Sequence, residues 1–156
     1  MNVADRIDII VRHINHVRDD CLILGERLIR TGEEDFGRGL IANGYKHDVS
    51  KFSGIEFEFL NAETKKENPD MFECALKCHQ TQNKHHPEYW LEISEMPRIY
   101  LAEFCCDVKA RSSEFGTDIM DWVKENATKK YKFSTSSKTY KQIKEFMDLL
   151  LENQFK

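Results

Sequence analysis

Only three prolines and seven glycines interrupt the 156 residues. That is too little turn chemistry for a fold of many short strands, so long helices are expected. No apolar run approaches the roughly 18 residues that cross a bilayer. The N-terminal MNVADRIDIIVRH has neither the basic start nor the unbroken apolar stretch of a secretory leader. These absences lead us to expect a cytoplasmic protein. One-sided charge is also missing: 23 Lys and Arg are interspersed among 27 Asp and Glu, for a formal net charge of −4, so no nucleic-acid groove is expected. The five cysteines are odd in number and contain no CxxC pair, which excludes the disulfide framework of a small secreted domain. Cys74 and Cys78, one helical turn apart, read as small buried hydrophobes. With no internal repeat or low-complexity segment, residues 1–156 are expected to form a single domain long enough to bury its own core.

What is present reads as an all-α fold. Apolar positions such as Ile9, Val17, Leu24 and Leu28 place a helix over about 3–30, ended at Thr31-Gly32. A second helix is expected over 34–46. Ser53 with Glu56 three residues later has the form of a capping box for a third. Asn68-Pro69 offers an N-cap with proline at the first helical position, predicting a helix from Met71 to about Asn83. Pro97 opens another, running to about Ser113. Its near-continuous set Ile99, Leu101, Ala102, Phe104, Cys105, Cys106, Val108 and Ala110 marks it as the central helix. Thr117 is placed to cap a short helix through Trp122. A polar connector over 129–138 then leads to an amphipathic helix carrying Ile143, Phe146, Leu149 and Leu150, whose face reads as packing. That helix and the acidic surface would tolerate a homodimer.

The residues that carry chemistry are His13, His16, His47, Asp48, Lys51, His79, His85, His86 and Asp107, a set that includes all six histidines. Asp107 is the strongest physical signal. A carboxylate within an apolar helix costs several kcal/mol to desolvate unless a cation or metal meets it. A salt bridge to Arg111, one turn on, is the rival partner. Glu103 and Arg111 flank Asp107 at i−4 and i+4 on one stripe. His47-Asp48 sets an imidazole and a carboxylate side by side at a helix end, and Lys51 adds an ammonium suited to a phosphate beside a divalent ion. Asn83 to Trp90 gathers two histidines, a proline and two aromatics into eight residues. From one extended stretch only one of His85 and His86 is expected to face inward. Trp90 is placed either to wall a ligand pocket or to hold the histidine loop.

The ordered set His, His-Asp, Lys, His, His-His, Asp resembles the HD-domain superfamily of metal-dependent phosphohydrolases. The runs HDVSKF, NKHHPEYW and LAEFCCDVKARSSEFG look like a family of small bacterial and bacteriophage proteins with an HD-like pattern. The likeness covers nearly the whole chain. It implies an HD-like helical bundle in a bacterial or phage-infected cell, with one or two divalent transition-metal ions (Mn, Fe, Co, Ni or Zn). His47 and Asp48 would be the defining ligands, joined by Asp107 and by an early histidine, His13, with His16 as its rival. If His79 and His85 or His86 reach inward, Asp48 would bridge two ions. Lys51 would sit near the scissile phosphate. The candidate catalytic residues are Lys51 and Arg111, to neutralise the phosphoryl oxygens, and Glu103 or a free histidine as general acid or base; Lys51, Trp90 and Arg111 are the candidate substrate contacts. Val-Ser stands between the HD pair and Lys51 where cyclic-dinucleotide phosphodiesterases have a Gly before Lys, and no Gly-Tyr-Pro follows the paired histidines. Those substrates are therefore not expected. The expected activity is hydrolysis of a small phosphate ester or anhydride, nucleotide-like in kind. The alternatives are a di-iron oxygenase on the same ligand set and a non-catalytic protein that sequesters a nucleotide.

Overall fold

The computed structural model describes residues 1–131 and 133–152, and among these the fold is all α, with no strand. Eight α-helices follow in order: α1 (Val3–Arg30), α2 (Glu34–Lys46), α3 (Gly54–Phe59), α4 (Ala62–Glu67), α5 (Pro69–Gln82), α6 (Arg98–Phe115), α7 (Ile119–Trp122) and α8 (Lys138–Leu151). Short 3-10 turns cover Val49–Phe52, Pro87–Tyr89 and Ile93–Glu95, and a π-helix covers Val123–Lys130. The first two helices match their expected bounds. Asn2 caps α1 by accepting from the Asp5 amide, and Gly32 (φ 99°) takes the left-handed turn that ends it.

The antiparallel pair α1 and α2 is the most extensive helix contact, and α6 packs across both with α8 behind. Small residues set the α1–α2 approach. A Cβ on Gly37 would overlap the Gly25 carbonyl oxygen, and one on Gly25 would lie 2.8 Å from the Gly37 carbonyl oxygen. The core is filled by Val17, Cys21, Leu24 and Leu28 of α1, Leu40 of α2, Leu101, Ala102, Cys105 and Cys106 of α6, and Ile143, Phe146, Met147 and Leu150 of α8. As expected, α6 is buried on nearly every side. Burying each such large side chain is worth about 1.5–3 kcal/mol. Glu103 and Asp107 lie within the same buried helix, so the core is interrupted on one side by charge.

Several local expectations are corrected. Ser53 makes no side-chain cap. Its expected box partner Glu56 turns inward to Ser50 and His79, since an imidazole N–H gives a charge-assisted bond stronger than the exchange with a backbone amide. Asp118, not Thr117, caps α7, accepting from the Met120 and Asp121 amides at 2.7 and 3.2 Å. The helical path continues beyond Trp122 to Lys130, and Ser137 caps α8. Cys74 is exposed and Cys78 half-buried, because the inner stripe of α5 is Ala75 and His79, one position away.

Candidate metal centre

Three stretches of chain meet beside α6. α1 brings His13, at the start of the inward stripe that continues through Val17 and Leu24. The end of α2 brings His47 and Asp48. Asp48 adopts the left-handed conformation at φ 54°, which costs a non-glycine residue energy but turns the chain so that consecutive side chains both reach the centre. α5 and its following loop bring His79, His85 and His86, and α6 brings Asp107.

The two carboxylate oxygens of Asp48 face two separate groups. Oδ2 lies 3.5 Å from His13 Nε2 and 3.4 Å from His47 Nε2. Asp107 Oδ1 completes this side, 3.0 Å from His13 Nε2 and 3.8 Å from His47 Nε2. Oδ1 of Asp48 lies 3.4 Å from His79 Nε2 and 3.2 Å from His85 Nε2, and His86 Nε2 is 2.9 Å from His79 Nε2. The donors of His13, His47 and Asp107 lie within 4.8 Å of one another, and so do those of Asp48, His79, His85 and His86. Both loop histidines therefore reach the centre, contrary to expectation. The His86 amide donates to the Asn83 carbonyl at 3.0 Å, so the segment is a tight turn and not an extended stretch.

Behind the rings stands a layer of glutamates. Glu114 Oε1 is 2.9 Å from His13 Nδ1, Glu103 Oε1 is 2.9 Å from His47 Nδ1 and 3.3 Å from His85 Nδ1, and Glu56 Oε2 is 2.8 Å from His79 Nδ1. A carboxylate on Nδ1 fixes the tautomer and leaves the Nε2 lone pair aimed inward, the usual arrangement around a metal. His47, His85 and Glu103 also converge closely enough to hold an ion. Their approach is through Nδ1, so hydrogen bonding accounts for it. Sequence reading missed Glu56 and Glu114, and it expected Glu103 to act in proton transfer. The geometry instead makes Glu103 the partner of two imidazoles.

The donors fit a cation by a direct test. His13 Nε2, His47 Nε2, His85 Nε2, Asp107 Oδ1 and both Asp48 oxygens are buried without a partner in hydrogen-bonding geometry. The Lys51 ammonium stands beside one of these atoms, Asp48 Oδ2, and so many polar atoms left over in one place call for a further compensating ion. Without an ion, protons balance the charge. Burial opposes charge on His47, yet Asp48, Asp107 and Glu103 outweigh it and hold the imidazole well above its ordinary value. Burial likewise pushes Asp48 and Asp107 up, but His47 and Lys51 around the first, and His13 and His47 around the second, hold both carboxyls well below theirs. His86 is pushed down to about 2 by burial and by the neighbouring His85 charge, leaving a neutral ring.

The remaining candidates are sorted by position. His16 is 45 % exposed against 4 % for His13, and although both Nδ1 atoms lie 2.9 Å from Glu114 Oε1, only His13 also brings its Nε2 to Asp48 and Asp107, so His13 is the early histidine that faces the centre. Lys51 is buried, its Nζ 2.6 Å from Asp48 Oδ2, carried there by the 3-10 turn. Arg111 does not pair with Asp107. Its half-exposed guanidinium takes Glu114 Oε2 at 3.2 Å and stands at the rim beside His13. Trp90 leans on Tyr100 and donates its indole N–H to the Lys84 carbonyl at 2.9 Å, so it holds the loop and does not wall a pocket. No helix is long and apolar enough to cross a membrane among the described residues.

Fold and site together define an all-α protein with a buried His/Asp cluster suited to holding metal ions. A family model described as a family of unknown function, DUF5662, matches residues 2–155, and the chain belongs to that family. Searches of curated proteins and of solved structures give no match.

Proposed function

We propose that this protein is a metal-dependent phosphohydrolase acting on a small phosphate ester or anhydride, in line with the HD-like pattern of its sequence. The supporting observation is the convergence of four buried imidazole nitrogens on the two oxygens of Asp48, those of His13, His47 and His85 without a hydrogen-bond partner. His13, His47 and Asp107 would hold one ion, and Asp48, His79, His85 and His86 a second. Five imidazoles with two carboxylates suit Mn, Fe, Co, Ni or Zn better than an oxygen-preferring ion such as Ca. Bound there, such ions supply Lewis acidity toward a phosphoryl oxygen and make water a competent nucleophile near neutral pH.

The chain's own residues account for the rest. Glu56, Glu103 and Glu114 hold the imidazoles in one tautomer and orientation, so the donor set is built before any substrate arrives. The Lys51 ammonium, seated on Asp48, is available to offset charge developing on phosphoryl oxygens, and Arg111 adds a second positive group at the rim. Hydrolysis transfers water oxygen to phosphorus and breaks the bond to the leaving oxygen, which takes up a proton. The attacking water gives up a proton as the leaving oxygen gains one, so the step balances with solvent as the proton reservoir.

Elemental analysis of protein purified without chelator tests the reading, with His47→Ala/Asp48→Ala as control and circular dichroism to confirm its fold. About one or two equivalents of transition metal lost in the variant, with phosphate released from a small-ester panel by the wild type, support it. Failure to take up metal on reconstitution would end it, and oxygen uptake by iron-loaded protein without phosphate release would assign the cluster to oxygenase chemistry.

A further inference from the structure

A cavity of about 240 Å³ opens on the metal-centre residues, with His47, Asp48 and His85 on its inner side. It is smaller than the roughly 300–1,000 Å³ of pockets that enclose drug-sized ligands. Its outer wall comes from three elements, Asn43 and Lys46 at the end of α2, Gln82, Asn83 and Lys84 at the end of α5, and Tyr100 on α6; the Glu103 carboxylate also lines it, engaged by His47 Nδ1 and His85 Nδ1. Asn83 is committed to structure, donating to Ser50 Oγ at 3.1 Å and to the His79 carbonyl at 2.8 Å. Two exposed ammonium groups and the amides of Asn43 and Gln82 remain to meet a ligand.

The wall contains one aromatic ring, and it is already covered. Lys84 Nζ lies over Tyr100 at 5.7 Å from the ring centroid, and Trp90 leans on the same ring at 6.2 Å. A nucleobase bound here would have to displace the ammonium to find a stacking surface, whereas base recognition draws much of its energy from an open aromatic face. A phosphate group gains from the same ammonium directly. From the volume, the amine and amide lining and the covered ring, we infer that the ligand of this cavity is a compact, non-aromatic, multiply charged phosphate: a phosphorylated sugar or polyol, or an inorganic polyphosphate. The inference rests on the hydrolase reading and narrows its substrate away from the nucleotide that the sequence suggests.

The test is calorimetric titration of metal-loaded protein with inorganic pyrophosphate, glucose 6-phosphate and adenosine monophosphate, in the wild type and in Lys46→Met/Lys84→Met, which keeps the apolar stems. Pyrophosphate or the sugar phosphate binds more tightly than the nucleotide, and which of the two is tighter tells polyphosphate from sugar phosphate. The double variant weakens that binding by about tenfold or more at unchanged metal content. Binding that ignores both lysines, or tighter binding of the nucleotide, overturns the inference while leaving the hydrolase reading intact. A wild type that takes up no metal removes the hydrolase reading instead, and the lysine dependence of pyrophosphate binding to the metal-free chain then decides the cavity's chemistry separately.

Discussion

His47 Nδ1 stands 2.9 Å from Glu103 Oε1, both side chains are buried, and 56 positions of chain separate them. The contact turns the Nε2 of His47 toward Asp48. Removing such a partner typically weakens metal binding by about 10–100-fold. Glu103→Ala is expected to lose metal affinity on that scale in a chelator competition while keeping its helical circular dichroism. An unchanged affinity would show that Glu103 does not orient the ring.

His13 and His16 are separable by experiment. His13→Ala is expected to lose bound metal, since its Nε2 is one of the orphaned donors, whereas His16→Ala retains it because that exposed ring reaches only the Glu114 carboxylate behind His13. Metal stoichiometry of the two purified variants decides the matter, and equal loss in both would contradict the placement of α1.

Metal removal should also cost stability. An ion that binds the folded chain and not the unfolded one adds RT ln(1 + [L]/Kd), about 2.7 kcal/mol at one hundred times Kd. Thermal unfolding with excess chelator is expected to fall below that of metal-loaded protein, and the difference should vanish in Asp48→Ala. A chelator-insensitive wild type would argue against a tightly held ion.

The α1–α2 contact gives a prediction independent of the site. Gly37→Ala puts a methyl against the Gly25 carbonyl oxygen, and backbone cannot yield as a flexible side chain can. Overpacking of this kind costs about 1–3 kcal/mol. Denaturant unfolding should show it, and a neutral substitution would mean that the helices sit farther apart than described.

A pH effect is expected at Glu33. The Arg98 guanidinium, itself lying over the Phe36 and Phe146 rings, holds the Glu33 carboxyl below its ordinary 4.5. A lowered folded-state value stabilises above 4.5, and the contribution is lost as pH falls through the folded value. The melting-temperature gap between wild type and Glu33→Gln should therefore be present at pH 7 and close in acid. It will be small, because the pair is partly exposed. A gap that widens in acid would reverse the sign.

Much of this arrangement is legible in the residues, for physical reasons that differ by element. α1 and α2 are readable because apolar spacing and the Thr31-Gly32 stop agree. The ligand candidates are readable because all six histidines fall in the first 86 residues, one directly before Asp48 and two side by side before Pro87. The π-helical stretch Val123–Lys130 is not, since its polar sequence carries no helical apolar stripe. Glu56 and Glu114 were hidden among 27 acidic residues, 23 and 101 positions from the histidines they hold. For Glu114 a signal did exist: continuing the Glu103, Asp107, Arg111 stripe one turn further reaches it. His13 and His16 could not be told apart by spacing, because both lie within the arc of α1 that faces α6.

The 101 positions between His13 and Glu114 set an order of events during synthesis. A ribosome releases the first histidine long before the two α6 carboxylates that complete its surroundings, so no nascent fragment ending before α6 contains the full donor set. The group of Asp48, His79, His85 and His86 is complete before α6 begins, whereas the group of His13 and His47 waits for Asp107. Both donor groups are therefore present together only once α6 has been made, so a chain truncated before Arg98 would keep one group and lose the other.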